Sequence, residues 1–229
     1  MPSTANAPAS FRRRKEELLF QASALALAVV AGFGCWFAAA AFARRDDLRG
    51  LPPDRPRQLA DFSLTDRTGR TVTRAELDGK VLAVSFLFTS CATTCPEVSQ
   101  RMSEIQRLTT NEPDVQLVSF TVDPRSDTPP VLAKWGAQYG ADTNRWLLLT
   151  GRKPELQELI GASFLATNDG DVFNFMPCNF TGLERIAVVD KHGRVRIYFN
   201  GMRAGTPAVV AAEIERLRRK DDPNPKPDD

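Results

Sequence analysis

Two cysteines, Cys91 and Cys95, lie four residues apart in the stretch FLFTSCATTCPEV, where an apolar run gives way to a segment that starts with proline. Residues 81–88, which precede them, are rich in the β-branched and aromatic residues typical of strands. Pro96 fits the first turn of a helix, where no backbone N–H is needed. The sequence therefore predicts a strand, a tight turn and a helix that opens at Pro96.

This placement puts both sulfurs at the N-terminus of a helix. There the unpaired backbone N–H groups and the positive end of the helix dipole favour the thiolate, which is the better nucleophile and the better ligand for soft metals. The alternative is that the two cysteines pack in the core or form a structural disulfide. Such a bridge needs no combination of strand end, helix start and flanking proline, so we expect redox or metal chemistry at Cys91 and Cys95.

A second constraint is the uncharged run over residues 18–43, which is long enough to cross a hydrocarbon core about 30 Å thick. It predicts a transmembrane anchor, with residues 1–17 as a cytoplasmic N-terminus. A cleaved signal peptide is the alternative, because residues 41–43 have the small-x-small pattern of a cleavage site. Its apolar region would normally be only about 7 to 15 residues.

The charges that flank the predicted span give a weak orientation. Basic residues 12–15 precede it, and Arg44, Arg45 and Arg49 follow it, so the bias toward a cytoplasmic N-terminus is slight. The dithiol weakly favours the same orientation. We therefore predict a single-pass inner-membrane protein with its C-terminal domain on the periplasmic side. No basic stripe with interleaved aromatic residues is present, so a nucleic acid partner is not expected.

The rest of the chain predicts one α/β domain over residues 58–219. Residues 44–57 are rich in Arg, Asp and Pro and predict an extended tether, and the polar residues 220–229 predict a disordered tail. A hairpin around residues 67–69 precedes strands that alternate with helices, and a strand pair and a closing helix follow. A βαβ unit joined to a ββα unit is the thioredoxin arrangement, with the dithiol at the end of its first central strand.

Four motifs resemble the Sco/SenC family: SCATTCPE for its CxxxCP motif, VDPRSDTP for its DPxxDTP motif, and the flanking LTDRTG and VVDKHGRV. The resemblance covers about residues 58–219. It implies a membrane-anchored, thioredoxin-like protein linked to assembly of the copper centre of cytochrome c oxidase. It also implies copper, as Cu(I) or Cu(II), bound by Cys91, Cys95 and a histidine, with a copper-oxidase subunit as recipient.

This chain lacks that histidine. The family places it shortly before the strand that corresponds here to ERIAVVD, and the matching stretch, FNFMPCNFTGLER, has none. His192, the single histidine of the chain, lies in the following turn, where we expect it to face solvent. Met176 and Cys178 lie in the right stretch and are soft donors suited to Cu(I). The alternatives are a methionine that packs into the domain and a cysteine without a role or in a disulfide.

Two aspartates of the DPxxDTP motif have two interpretations. Near the cysteine loop, Asp123 and Asp127 could hold that loop and influence thiol ionisation. Alternatively, Asp127 precedes Thr128 and two prolines and would cap the next helix, and this is the use we expect.

The residues leave two functions open. The first is a copper-binding assembly protein, a metallochaperone, in which Cys91 and Cys95 are thiolate ligands. The second is an enzyme, a thiol-disulfide oxidoreductase in which the same cysteines reduce a target, and loss of the histidine favours it because exchange needs no third ligand. A domain that has lost its chemistry and serves as a binding module is a third alternative, which retention of both cysteines disfavours.

Overall fold

The computed structural model describes residues 50–53, 57–164 and 182–220. The predicted transmembrane span over residues 18–43, the pair Met176 and Cys178, and tail residues 221–229 lie outside the described residues. Within the three described ranges, no helix is both long enough and apolar enough to span a membrane.

One sheet of eight strands is the centre of the fold, in the spatial order β1-β8-β7-β4-β5-β6-β2-β3. Two short edge strands protect it from pairing with other chains. The strands are β1 Arg57–Gln58, β2 Ser63–Asp66, β3 Thr71–Thr73, β4 Val81–Leu87, β5 Val115–Thr121, β6 Trp146–Thr150, β7 Arg185–Val189 and β8 Arg194–Asn200.

In the described part of the chain, four α-helices connect or follow these strands: α1 Thr94–Leu108, α2 Pro129–Gln138, α3 Lys153–Ser163 and α4 Thr206–Lys220. A short 3-10 helix, Arg74–Leu77, precedes β4. Helix α1 begins two residues before the predicted start at Pro96, because a proline is tolerated anywhere in the first helical turn, where backbone N–H groups have no intrahelical partner.

The strand directions confirm the predicted thioredoxin-like topology. Strands β4, β5 and β6 are parallel, with α1 as the connection from β4 to β5. Strand β7 is antiparallel to both β4 and β8, so β4 and β8 run in the same direction. One border of the sheet, formed by strand ends, therefore contains the end of β4, the end of β8 and the start of β7. We call this border the dithiol edge because Cys91 follows β4 there.

Central strands β4 and β5 are buried over their whole length, as expected for parallel strands covered on both faces. On one face, Phe86 packs against Phe164 with ring centroids 5.3 Å apart, and Phe120 contacts Phe62 at 5.7 Å. This aromatic core fixes the end of β4, from which the cysteine loop extends.

The N-terminal part of the sheet departs from the predicted boundaries. Leu51 pairs with Tyr198 of β8, and Arg57 in β1 pairs with Val195, so sheet pairing begins inside the segment that the sequence assigns to the tether over residues 44–57. The predicted hairpin is present as β2 and β3, and Gly69 takes the positive φ of 87° that its turn requires.

Candidate functional site

The loop from Phe88 to Thr93 places the two cysteines. Strand β4 ends at Leu87 and α1 begins at Thr94, so Cys91 lies in the loop and Cys95 lies in the first helical turn. The Cys91 N–H donates to the Phe88 carbonyl at 3.1 Å, which closes a tight turn.

The Cys91 sulfur takes the place of a helix cap. Thr93, the residue at the N-cap, makes no side-chain capping hydrogen bond, and the Cys95 N–H donates to Cys91 Sγ at 3.4 Å. The sulfur therefore satisfies one of the N–H groups that a helix start leaves unpaired. The predicted position of both cysteines at a helix N-terminus is confirmed.

Cys91 is partly exposed and its environment favours the thiolate. Burial alone would raise the pKa of its thiol, but the hydrogen bonds it accepts outweigh that effect and lower the pKa overall. The donors are the backbone N–H groups of Cys95, Thr93 and Thr94 and the Cys95 thiol. Cys91 is therefore the thiol of the pair that a target or a metal ion meets first.

Cys95 is fully buried and behaves in the opposite way. Burial raises the pKa of its thiol strongly, the Phe88 N–H opposes that rise, and the negative charges of Cys91 and Asp127 add to it. The expectation that both sulfurs favour the thiolate was wrong for Cys95, because its side chain faces the core. A sequence signal existed, since Cys95 shares helical spacing with the buried residues Val98, Met102 and Ile105.

Asp127 is a fully buried carboxylate that ties the cysteine loop to β5. Its Oδ1 accepts the Thr89 N–H at 3.1 Å and the Thr89 hydroxyl at 2.6 Å, and its Oδ2 accepts the Thr121 hydroxyl. Burial raises the pKa of this carboxyl, the hydrogen bonds from Thr121 and Thr89 oppose the rise, and the nearby charge of Asp123 adds to it.

The prediction that Asp127 caps the following helix was wrong. Thr128 is the N-cap residue of α2, and its side chain makes no capping hydrogen bond. The Asp127 carboxylate instead crosses to Thr89 because Leu87 and Thr121 are paired in the register of β4 and β5, which brings the two strand ends together. Of the two interpretations of the DPxxDTP motif, the hydrogen bonds of Asp127 to Thr89 agree with the one in which the motif contacts the cysteine loop.

His192 lies at the opposite edge of the sheet. It is exposed in the turn between β7 and β8, and its N–H donates to Asp190 Oδ1 at 3.0 Å. The neighbouring Lys191 carbonyl accepts the Gly79 N–H, which places this turn at the start of β4, whereas Cys91 follows the end of that strand. Seven residues at about 3.3 Å each separate the two ends by roughly 23 Å, so His192 is not part of the dithiol site.

Met176 and Cys178 lie outside the described residues, and only the chain on either side of them is placed. The described chain stops at Phe164 and resumes at Gly182, close before β7 begins at the dithiol edge. The Gly182 N–H donates to Glu184 Oε2 at 3.2 Å, which fixes the backbone just before β7.

Two aromatic residues beside the site were not foreseen. Trp135 and Tyr139 of the α2 region pack with ring centroids 5.1 Å apart, and the Trp135 indole N–H donates to Ser99 Oγ on α1 at 3.0 Å. Burial raises the pKa of the Tyr139 phenol, and the charge of Cys95 adds to this. Their four-residue spacing predicts a shared helix face but does not reveal which helix they contact.

The donor set of the described site consists of two sulfurs. Thiolates are soft ligands that suit Cu(I). Cys91 lies in the loop before α1 and Cys95 lies in its first turn, so both sulfurs are at the start of one helix. In the described ranges, no three His, Cys, Asp or Glu side chains lie close enough together to hold a metal ion. The described residues therefore fit a soft ion held by Cys91 and Cys95, with no imidazole among the donors.

This thioredoxin-like fold with a CxxxC dithiol agrees with comparison to known proteins. The family model described as SCO1/SenC matches residues 52–219. The chain belongs to the SCO1/SenC family.

Three relatives illustrate the range of this similarity. The SCO1 protein homolog of Bacillus subtilis is 34% identical over 111 residues, which are 48% of this chain and 58% of that protein, so the chain covers less than two thirds of its length. The structure of BsSco, a member of the Sco family of cytochrome c oxidase assembly proteins with a disulfide switch, has a TM-score of 0.59 at 25% identity and covers 72% of this chain and 96% of its own. Copper-bound ScoI of Bradyrhizobium japonicum has a TM-score of 0.54 at 28% identity, covering 69% and 98%.

Proposed function

We propose that this chain acts in copper maturation of a respiratory oxidase and that Cys91 and Cys95 bind Cu(I) as its cargo. The observation that carries the proposal is the position of the two sulfurs, with Cys91 accepting the Cys95 N–H at 3.4 Å on a partly exposed loop. The copper-bound ScoI relative supports the choice of metal. A copper-oxidase subunit is the proposed recipient.

The third donor is proposed to come from Met176 or Cys178. The described chain resumes at Gly182, at the same edge of the sheet as Cys91, and both residues lie shortly before it. A site with three thiolates should hold Cu(I) more tightly than one with an imidazole and exchange it less readily. Substitution Cys178→Ser should then weaken Cu(I) binding at least about tenfold.

Copper binding can be tested by titrating the full-length chain with Cu(I) against a chromophoric chelator. The double substitution Cys91→Ser and Cys95→Ser should remove tight stoichiometric binding, because both sulfurs are donors. Cys35→Ser is the matched control, since Cys35 lies within the predicted span over residues 18–43. Retention of tight binding by the double variant would reject the site.

We also propose that residues 18–43 anchor the chain in the inner membrane, with the domain on the periplasmic side. The support is the uncharged length of this run. Protease added to intact spheroplasts should degrade the domain, and alkaline carbonate should leave the chain in the membrane fraction. A chain that is extracted by carbonate or that lacks residues 1–43 after export would contradict the anchor.

Thiol-disulfide exchange is the second candidate function, and the unequal thiols favour it. The Cys91 thiolate would attack one sulfur of a target disulfide and release the other sulfur as a thiolate. The Cys95 thiol would then lose its proton and attack Cys91, which forms the Cys91–Cys95 disulfide and releases the second target sulfur. The target gains two electrons from the two sulfurs of the chain. Its two sulfurs take up one proton from Cys95 and one from solvent, because Cys91 begins as a thiolate. The disulfide switch of BsSco supports this chemistry.

The two candidate functions differ in whether they need a third sulfur donor. Cu(I) binding should weaken when Met176→Leu and Cys178→Ser are combined, whereas reduction of a target disulfide needs only Cys91 and Cys95. Equal Cu(I) affinities for the wild type and this double variant, together with rapid reduction of an oxidised copper-site peptide, would favour exchange over copper delivery.

A further inference from the structure

The carboxylate of Asp127 hydrogen-bonds the cysteine loop and not the helix that follows it. Asp127 is fully buried, and within the described ranges the hydrogen bonds to its two oxygens come from donors on Thr89 and Thr121. Thr121 Oγ1 also accepts the Asp123 N–H at 2.9 Å, so its own proton is directed to Asp127. The result is a rigid connection from the end of β5 to the residue that follows Phe88.

The connection ends beside Phe88, whose carbonyl accepts the Cys91 N–H at 3.1 Å. The Cys95 N–H in turn donates to Cys91 Sγ at 3.4 Å. Movement of Thr89 would therefore shift the backbone partner of Cys91 and, through Cys91, the contact between the two cysteines. Among the described residues, Asp127 is the one side chain that hydrogen-bonds Thr89.

We propose that Asp127 is a positioning residue for the dithiol: acting through Thr89, its carboxylate holds residues 88–93 so that the Cys91 and Cys95 sulfurs stay within bonding reach of each other. This inference rests on the proposed function in one respect, that Cys91 and Cys95 work as a pair. It assigns Asp127 no contact with a target or a metal ion. Its predicted effect is on the effective concentration of one sulfur at the other.

The negative charge of Asp127 offers a competing explanation, and one substitution separates the two. Asn has nearly the same shape: its Oδ1 can accept both Thr89 donors, and its Nδ2 can donate to Thr121 Oγ1. Asp127→Asn therefore keeps both contacts with Thr89, reverses the direction of the hydrogen bond with Thr121 and removes the charge. Asp127→Ala removes the contacts and the charge, and Thr121→Val removes one contact while it keeps the charge.

The test is the equilibrium between the full-length chain and glutathione. Two thiols of the chain are oxidised to the Cys91–Cys95 disulfide as one oxidised glutathione is reduced to two glutathione thiols. The tryptic peptide over residues 81–101 carries both cysteines, so alkylation and mass spectrometry count this pair separately from Cys35 and Cys178. Gly136→Ala is the control for general destabilisation, because an added Cβ there would meet Arg67 and Leu148, neither of which contacts Asp127 or Thr89 through a hydrogen bond.

Asp127→Ala should lower the equilibrium constant for disulfide formation at least about tenfold, which raises the reduction potential by about 30 mV. Thr121→Val should shift it in the same direction by less, and it remains informative if Asp127→Ala does not fold. Asp127→Asn and Gly136→Ala should both keep the wild-type equilibrium constant. An unchanged potential in both Asp127→Ala and Thr121→Val, or an Asp127→Asn value as far from the wild type as Asp127→Ala, would overturn the positioning role. A wild-type chain that forms no Cys91–Cys95 disulfide and binds no copper would instead reject the proposed function.

Discussion

The Cys95 N–H donates a hydrogen bond to Cys91 Sγ at 3.4 Å, so the first cysteine caps the helix that carries the second. This contact makes the two thiols chemically different although they are four residues apart. The capping sulfur is partly exposed and stabilised as a thiolate, and the helical sulfur is buried and held as a thiol.

This difference predicts the order in which the thiols react. In the reduced chain, iodoacetamide should modify Cys91 first, and half-maximal reactivity should fall below the pH of about 8.5 typical of a free cysteine, because the pKa of Cys91 is lowered. Cys95 should react only slowly until the chain unfolds. Peptide mass spectrometry over a pH series measures both rates, and equal rates, or faster modification of Cys95, would contradict the assignment.

Copper binding should remain pH-dependent well above neutrality. Cu(I) binds the thiolate, so each thiol that is still protonated releases a proton, and the affinity gains about tenfold per pH unit for each one. Below the pKa of Cys91 both described thiols release a proton, and above it only Cys95 does, because the pKa of that thiol is raised. Where Cys178 is the third donor, its own proton adds to this release. Competition titrations from pH 6 to pH 9 should show this change of slope, whereas a plateau by pH 8 would mean that both thiols had already ionised.

His192 should make no contribution to copper binding. It is exposed in the turn at the start of β4, roughly 23 Å along that strand from the end that carries the dithiol. The Cu(I) affinity of His192→Ala should therefore equal that of the wild type within about twofold. A loss comparable to that of Cys91→Ser would show that the histidine reaches the metal and that the assigned position is wrong.

Two helical glycines provide a test of the packing around the domain. A Cβ at Gly136 in α2 would lie 1.9 Å from Arg67 Nη1 and 2.7 Å from Leu148 Cδ1, and Arg67 is itself buried and bonded to the Ala141 carbonyl at 2.8 Å. Gly136→Ala should lower the free energy of unfolding by about 2 kcal/mol.

The matched substitution is Gly161→Ala in α3, where an added Cβ meets no atom within 4 Å. Here the gain in helix propensity should stabilise the chain by about 0.5–1 kcal/mol. Urea denaturation measures both variants. Similar changes in the two would mean that Arg67 is not locked against α2.

Local sequence signals predicted most of the elements that form the site. The apolar run before Cys91 became β4, Pro96 marked the first turn of α1, and Gly193 and its neighbours marked the turn between β7 and β8. Each of these signals acts over a few residues, through backbone sterics or periodic burial, and so it can be read without knowledge of the fold.

The functions of Asp127 and Cys95 depended on information that a single sequence does not display. Asp127 contacts Thr89 because the register of β4 and β5 sets Leu87 opposite Thr121, and register is a property of the assembled sheet. The ionisation of Cys95 depends on which side of α1 faces the core. Its spacing with Met102 and Ile105 carried that signal, but the helix dipole argument alone assigned both sulfurs the same character.

X-ray absorption at the copper K-edge of the Cu(I)-loaded full-length chain shows whether the dithiol holds the ion through sulfur. We expect scattering from sulfur neighbours only, two from Cys91 and Cys95 with a third where Met176 or Cys178 joins them, and loss of this signal in Cys91→Ser and in Cys95→Ser. Imidazole scattering in the wild type, or the same sulfur signal after both cysteines are replaced, would contradict it.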